Sequence, residues 1–220
     1  MRSLVIIPTE AEVSAFLEAL RESGRAVKEL TEGRLRVAVV QELDMAVACG
    51  GLGKVEMGVR TQHLLDSNDW SLVSCAGAAA RLDPRVQIGD VVIGTETVEH
   101  DIRKGRRDLL PRFQSDPALV GGLRAATQEM PTSFSVRFGP IASGDEDILD
   151  DLRREEVRDR TGALAVAWEG AGAARACLFS NTPFVEIRGI TDNADPTGPE
   201  DFVANLASAM RNVSAIARLL

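Results

Sequence analysis

Three carboxylates in this chain sit where an apolar run gives way to a loop or helix: Glu12, Glu169 and Asp192. Glu12 follows Leu4-Val5-Ile6-Ile7, Glu169 follows Ala165-Val166-Ala167-Trp168, and Asp192 follows Phe184-Val185-Glu186-Ile187-Arg188-Gly189-Ile190-Thr191. Open α/β enzymes handle a ligand above the carboxyl ends of their buried strands, which is where these side chains stand. Each also has a structural reading. Glu12 and Glu169 fit the first turn of a helix, where a negative charge complements the dipole. Asp192, in Thr191-Asp192-Asn193-Ala194-Asp195, fits an Asx-type turn. Taken together, three such strand ends in one sheet can converge on a single crevice.

Small residues punctuate the same strand exits. Cys49-Gly50-Gly51-Leu52-Gly53-Lys54-Val55 joins a strand to a helix through glycines that let backbone approach a ligand. It is neither a Walker loop nor a GxGxxG fingerprint, since the lysine has no serine or threonine after it in frame. Ser74-Cys75-Ala76-Gly77-Ala78-Ala79-Ala80-Arg81 and Ala142-Ser143-Gly144-Asp145-Glu146-Asp147-Ile148 are two further exits of this kind. Each alone reads as a tight turn; three in one sheet point to a pocket walled partly by backbone amides.

The elements that must position these residues alternate. Apolar runs over 4–7, 35–40, 46–49, 72–76, 91–93, 134–138, 163–168 and 184–190 read as strands, several of them apolar at successive positions and so buried on both faces. Helical patterns fall over 10–23, 55–65, 117–129, 146–158, 170–180 and 200–220. In the last, Phe202, Leu206, Met210, Val213 and Ile216 recur every three or four residues, one face to lay on a sheet. Alternating strands and helices predict an α/β fold, a three-layer single domain over 1–220 with a central sheet flanked by helices. The turn signal Thr31-Glu32-Gly33-Arg34 makes that sheet mixed. No linker, repeat or composition break divides it.

Composition excludes several classes. A formal net charge of −8 argues against a general nucleic-acid surface. The basic run Arg103-Lys104-Gly105-Arg106-Arg107 is short, lacks interleaved aromatics and reads as a solvated loop. No stretch is long and apolar enough to span a membrane, and the N-terminal run is too short for a signal peptide. Cys49, Cys75 and Cys177 are widely spaced in apolar surroundings, and with His63 and His100 they complete no zinc pattern. Free thiols in a reducing cytoplasm, with no metal and no cofactor, are the expectation.

Taken in order, these segments resemble the nucleosidase branch of the purine nucleoside phosphorylase superfamily nearly end to end. Ile7-Pro8-Thr9-Glu10-Ala11-Glu12-Val13 resembles the family's opening strand with its catalytic glutamate, and Gly51-Leu52-Gly53-Lys54-Val55 its small-residue loop. Ala76-Gly77-Ala78-Ala79-Ala80, then Ile88-Gly89-Asp90-Val91-Val92 and His100-Asp101, resemble the central signature. Ala142-Ser143-Gly144-Asp145, Trp168-Glu169 and Arg188 through Asp192 resemble the remaining elements. The resemblance implies a hydrolase that parts a purine from ribose. Asp192 would protonate the departing base as general acid, from a partly desolvated site that keeps it protonated. Glu12 would activate water. Glu169 would accept ribose hydroxyls and favour the positive charge growing on the sugar. Leu52, Ala78, Ala80, Ile148 and Trp168 would line the substrate site. Arg188 would either orient a carboxylate or form a structural ion pair; Phe202 would face the 5′ substituent or pack in the core. The resemblance also implies a nucleoside and water as reactants and a homodimer, with the 98–110 segment as the place to look for a partner contact.

Water is favoured over phosphate as nucleophile. The first loop offers Glu10 and Glu12, the central loop has Ala78 and no hydroxyl, and Arg81 is the only nearby cation. The chain departs from the family pattern at Asp147, where an aromatic is usual, and at Ala167-Trp168, where glutamate and methionine are usual. Trp168 can restore a stacking surface. Asp147 either accepts hydrogen bonds from a base edge or is a solvated first-turn residue, the second being favoured. Base and 5′ substituent therefore stay open within the purine nucleosides.

Overall fold

The computed structural model describes residues 2–102 and 110–220; the basic run read above, and 103–109 of the 98–110 segment, lie outside them. The strands are β1 (Ser3–Ile7), β2 (Lys28–Glu32), β3 (Leu35–Val40), β4 (Met45–Cys49), β5 (Leu72–Arg81), β6 (Val91–Glu99), β7 (Arg112–Gln114), β8 (Val136–Ser143), β9 (Ala165–Ala167) and β10 (Phe184–Asp192). The helices are α1 (Glu10–Glu22), α2 (Gly53–Ser67), α3 (Pro117–Glu129), α4 (Asp151–Thr161), α5 (Gly170–Phe179) and α6 (Gly198–Ala217).

The ten strands of the described residues join one mixed sheet, in the order β10-β6-β8-β9-β5-β1-β4-β3-β2, with β7 on β6. β1 lies parallel between β4 and β5, while β2–β3 and β3–β4 are antiparallel, so the turn at Gly33 does close a hairpin. β10 pairs with β5 in parallel and with β6 antiparallel. That double pairing curls β10, β6, β8, β9 and β5 into a closed ring, a feature the run of elements along the chain does not announce.

β1 and β10 are buried at every position; the apolar run of β1 predicts this, while β10 is buried along its whole length despite Glu186 and Arg188 within it. α6 lays Met210, Val213 and Ile216 into the cluster that also holds Val5, Ile7, Val185 and Ile187. On the other side Ala173, Ala174 and Cys177 of α5 and Met57 and Leu64 of α2 pack on Leu4, Ile6 and Val73.

Several boundaries differ from the sequence reading. β5 runs on to Arg81 and β6 to Glu99, because small residues such as Ala78 and Ala80 are held by ladders to β9 and β10 that outweigh their weak strand preference. The predicted helix over 146–158 begins only at Asp151, since the Asp150 carboxylate caps the Arg153 amide. Residues 146–149 are loop instead, and they border the site. β2 and β7 are short exposed strands that periodicity does not mark.

Candidate active site

Each of the three carboxylates is set by local structure. Thr9 follows β1 and caps α1: its hydroxyl accepts from the Glu12 amide at 3.2 Å, while Glu12 Oε2 accepts from the Thr9 amide at 3.0 Å and the Thr9 hydroxyl at 2.7 Å. This capping box fixes the side chain. Glu12 Oε1 then accepts from the Ala78 amide on β5 at 2.8 Å. Glu12 is therefore both the first-turn residue and a buried group at the site, 3% exposed. A Cβ on Gly77 would stand 2.8 Å from both Glu12 Oε1 and Arg188 Nη1, so only glycine allows this approach.

Glu169 stands at the N-cap of α5 with no capping bond from its side chain. Its carboxylate turns inward, accepting from the Gly53 amide at 3.4 Å and from Arg188 Nη2 at 3.3 Å. Burial raises its pKa; Arg188 opposes the shift and the charge of Glu12 adds to it. Ser143 fixes the joint, donating to the Trp168 carbonyl at 2.7 Å and accepting from the Ala171 amide at 3.0 Å.

Asp192 ends β10, where a register shift places it beside Ala80 of β5. Its Oδ1 accepts from the Ala194 amide at 3.0 Å, the Asx turn anticipated above, and Oδ2 accepts from the Thr191 hydroxyl at 2.8 Å. Burial raises its pKa against the lowering effect of those two bonds, and Asp201 and Asp195 push it further up. It holds a proton more tightly than an ordinary aspartate.

A cavity of about 440 Å³ brings all three together. Leu52, Ala78, Ala80, Asp147, Ile148, Trp168 and Phe202 border it as well, so ten of the eleven residues singled out in the sequence share one wall. Arg188 does not: it is fully buried behind Glu169, held at Nε by Glu186 at 2.8 Å. Arg81 is likewise absent from the lining and donates to the Val86 carbonyl at 3.0 Å. Among the described residues the lining carries Glu12, Glu146, Asp147, Glu169 and Asp192 and no lysine, arginine or histidine. Glu146 is matched from outside by a two-pronged pair with Arg153, at 2.6 and 2.7 Å. Glu169 is met from behind by Arg188, and with Glu12, Asp147 and Asp192 beside it the described lining stays acidic, favouring a developing cation over an anion.

A family model described as the phosphorylase superfamily matches residues 2–220. The chain belongs to that superfamily. It is 32% identical over 213 residues to the 5′-methylthioadenosine/S-adenosylhomocysteine nucleosidase of Marinomonas sp., covering 93% of this chain and 90% of the relative. The nucleosidase of that name from Pseudoalteromonas translucida is 35% identical over 175 residues, covering 74% and 73%. Among solved structures, the corresponding nucleosidase of Neisseria meningitidis in complex with methylthio-immucillin-A is similar with a TM-score of 0.85 at 31% identity, over 100% of this chain and 98% of that one.

As a superfamily member the chain carries site features that its sequence did not single out. Thr9 holds the Glu12 carboxylate from three residues before it and Thr191 that of the adjoining Asp192, and Glu186 lies buried beneath Arg188. The capping box was legible, since Thr9 and Glu12 have the required spacing. Glu186 was not, because a charged residue in an apolar run carries no sign of its partner. Among the described residues no group of three or more His, Cys, Asp or Glu side chains could hold a metal.

Proposed function

We propose that this chain hydrolyses the N-ribosidic bond of a purine nucleoside, 5′-methylthioadenosine, S-adenosylhomocysteine or a related compound, releasing the free base and the ribose moiety. The observation that carries the reading is that Glu12, Glu169 and Asp192 border one cavity with no cationic side chain among its described lining. A purine leaves poorly as an anion, so Asp192, whose raised pKa favours its acid form, protonates the departing base. The sugar then carries oxocarbenium character, which the Glu169 carboxylate stabilises while accepting ribose hydroxyls. Glu12 retains acceptor capacity on Oε1 beyond its bond from Ala78 and takes the proton of the attacking water. Trp168 and Phe202 supply apolar faces for base and 5′ substituent, with Leu52, Ala78, Ala80 and Ile148 completing the walls. Asp147, exposed at the wall, stands in solvent at the mouth.

Phosphate has no cation to meet among the described lining residues, which supports water as the nucleophile. The working unit is a homodimer: Val55 and Val59 of α2 and Leu178 and Phe179 at the end of α5 leave large apolar side chains exposed, at 75%, 65%, 73% and 84%. Free thiols at Cys49, Cys75 and Cys177 fit a reducing cytoplasmic setting. The deciding experiment incubates purine nucleosides with the protein in the presence and absence of phosphate. Free base together with free sugar, independent of phosphate, supports the proposal. Ribose 1-phosphate as product replaces it with phosphorolysis, and tight binding without base release replaces it with a binding protein.

A further inference from the structure

Glu186 takes no part in the chemistry above, yet it is a carboxylate buried completely in the sheet beside the site. Its Oε1 accepts from Arg188 Nε at 2.8 Å and its Oε2 from the Thr97 hydroxyl on β6. A Cβ on Gly170 would come within 2.2 Å of Oε2, so the first residue of α5 must be glycine for this carboxylate to fit. Arg188, equally buried, reaches onward from that anchor. Its Nη1 donates to the Ala78 carbonyl at 3.2 Å, and its Nη2 to Cys75 Sγ at 3.5 Å and Glu169 Oε2 at 3.3 Å.

A carboxylate taken wholly out of water is expensive even when paired, so its presence calls for a reason. The geometry of arginine supplies one. The guanidinium is a rigid planar fork, and an Nε held from one side fixes the directions of both Nη groups. Glu186 therefore limits Arg188 to a single long contact with Glu169. Released from Glu186, Arg188 could turn its fork fully onto Glu169 as a two-pronged pair, the geometry such pairs prefer. That would occupy the lone pairs a ribose hydroxyl needs.

We propose that Glu186 is a positioning residue: through Arg188 it steers the Glu169 carboxylate without saturating it, and so sets how strongly the site recognises a ribose. The proposal rests on the nucleosidase reading of the cavity. The test uses Glu186→Gln, which keeps the shape and removes the charge, and Thr97→Val, which removes the hydroxyl beneath it. For each, kcat/KM is compared between a purine ribonucleoside and its 2′-deoxy counterpart. In E186Q the preference for the ribonucleoside falls about tenfold, through KM more than kcat, as expected for a disturbed charge-assisted hydrogen bond. In T97V it falls about threefold in the same direction. A preference unchanged in both variants, or equal losses on the two substrates, overturns the proposal whatever happens to the melting temperature. If E186Q does not fold, T97V decides. A wild-type chain that releases no base from either compound refutes the nucleosidase reading instead; the same preference, read then as a ratio of dissociation constants by calorimetry, still tests Glu186.

Discussion

Replacing Asp192 with asparagine separates proton donation from everything else this side chain does. An asparagine carbonyl can keep the bond from the Ala194 amide, now 3.0 Å from Oδ1, and its NH2 can donate to a rotated Thr191 hydroxyl, now 2.8 Å from Oδ2. The turn after β10 survives, but the proton is gone. General acid catalysis typically contributes about 10²–10⁴-fold, so kcat for a neutral purine nucleoside falls by that much while the nucleoside still binds. Stability moves differently. Because the folded-state pKa of Asp192 is raised, the native protein binds this proton more tightly than the unfolded chain does. Native stability therefore falls as pH climbs from the ordinary aspartate value to the raised one, and is constant above. Each tenfold change in acid strength amounts to about 1.4 kcal/mol. Asparagine has no such titration, so the stability of D192N relative to wild type increases with pH across that window and then levels off. Steady-state kinetics, and denaturant unfolding followed from about pH 4 to neutral, measure both. A kcat within about threefold of wild type, or a stability difference independent of pH, refutes the account of Asp192 as a buried proton donor with a raised pKa.

The other perturbations probe neighbouring contacts. Glu12→Gln removes the base and can accept from only one of the two backbone amides, of Thr9 or Ala78, that Glu12 holds; kcat drops by about 10²–10⁴-fold while affinity for a nucleoside, measured by calorimetry, changes little. Glu169→Gln weakens recognition of the sugar and of its developing charge, lowering kcat/KM about tenfold or more in the nucleoside assay. Gly77→Ala drives a methyl group to 2.8 Å from both Glu12 Oε1 and Arg188 Nη1. It costs about 1–3 kcal/mol in denaturant unfolding and displaces both groups, so activity falls in parallel.

Ten of the eleven candidate residues border the cavity. Glu12, Glu169 and Asp192 were legible in the sequence as residues at strand ends, whereas Leu52, Ala78, Ala80, Asp147, Ile148, Trp168 and Phe202 came from the family resemblance. A buried strand is conspicuous as an unbroken apolar run, and the polar residue just beyond it is placed by the strand rather than by its own preferences. The structural and chemical readings of Glu12 and Asp192 turned out not to compete: the capping box and the Asx turn are the means by which these carboxylates are held toward the cavity. Arg188 does not border the cavity, although it makes the carboxylate contact expected of it, with Glu169. It lies inside the last apolar run, and alternation there cannot tell a cavity-facing position from one turned into the sheet when both faces are covered. The misplaced helix start at 146 has the same kind of cause. Asp147 and Asp150 are equally suited to begin a helix, and only the latter meets an amide to cap.

The sequence by itself determined the alternation of strands and helices, the burial of β1, and the residues presented at the ends of β1 and β10, because periodicity, turn chemistry and helix caps act over a few positions. Only the tertiary structure decided that the sheet closes into a ring through the two partners of β10, that Arg188 stands behind Glu169 on a buried Glu186, and that the described cavity lining carries carboxylates without a cation. Those arrangements join residues such as Thr97 and Glu186, or Glu12 and Ala78, across 89 and 66 positions of chain. Local preference carries no information at that range; packing and the need to pair every buried polar group do.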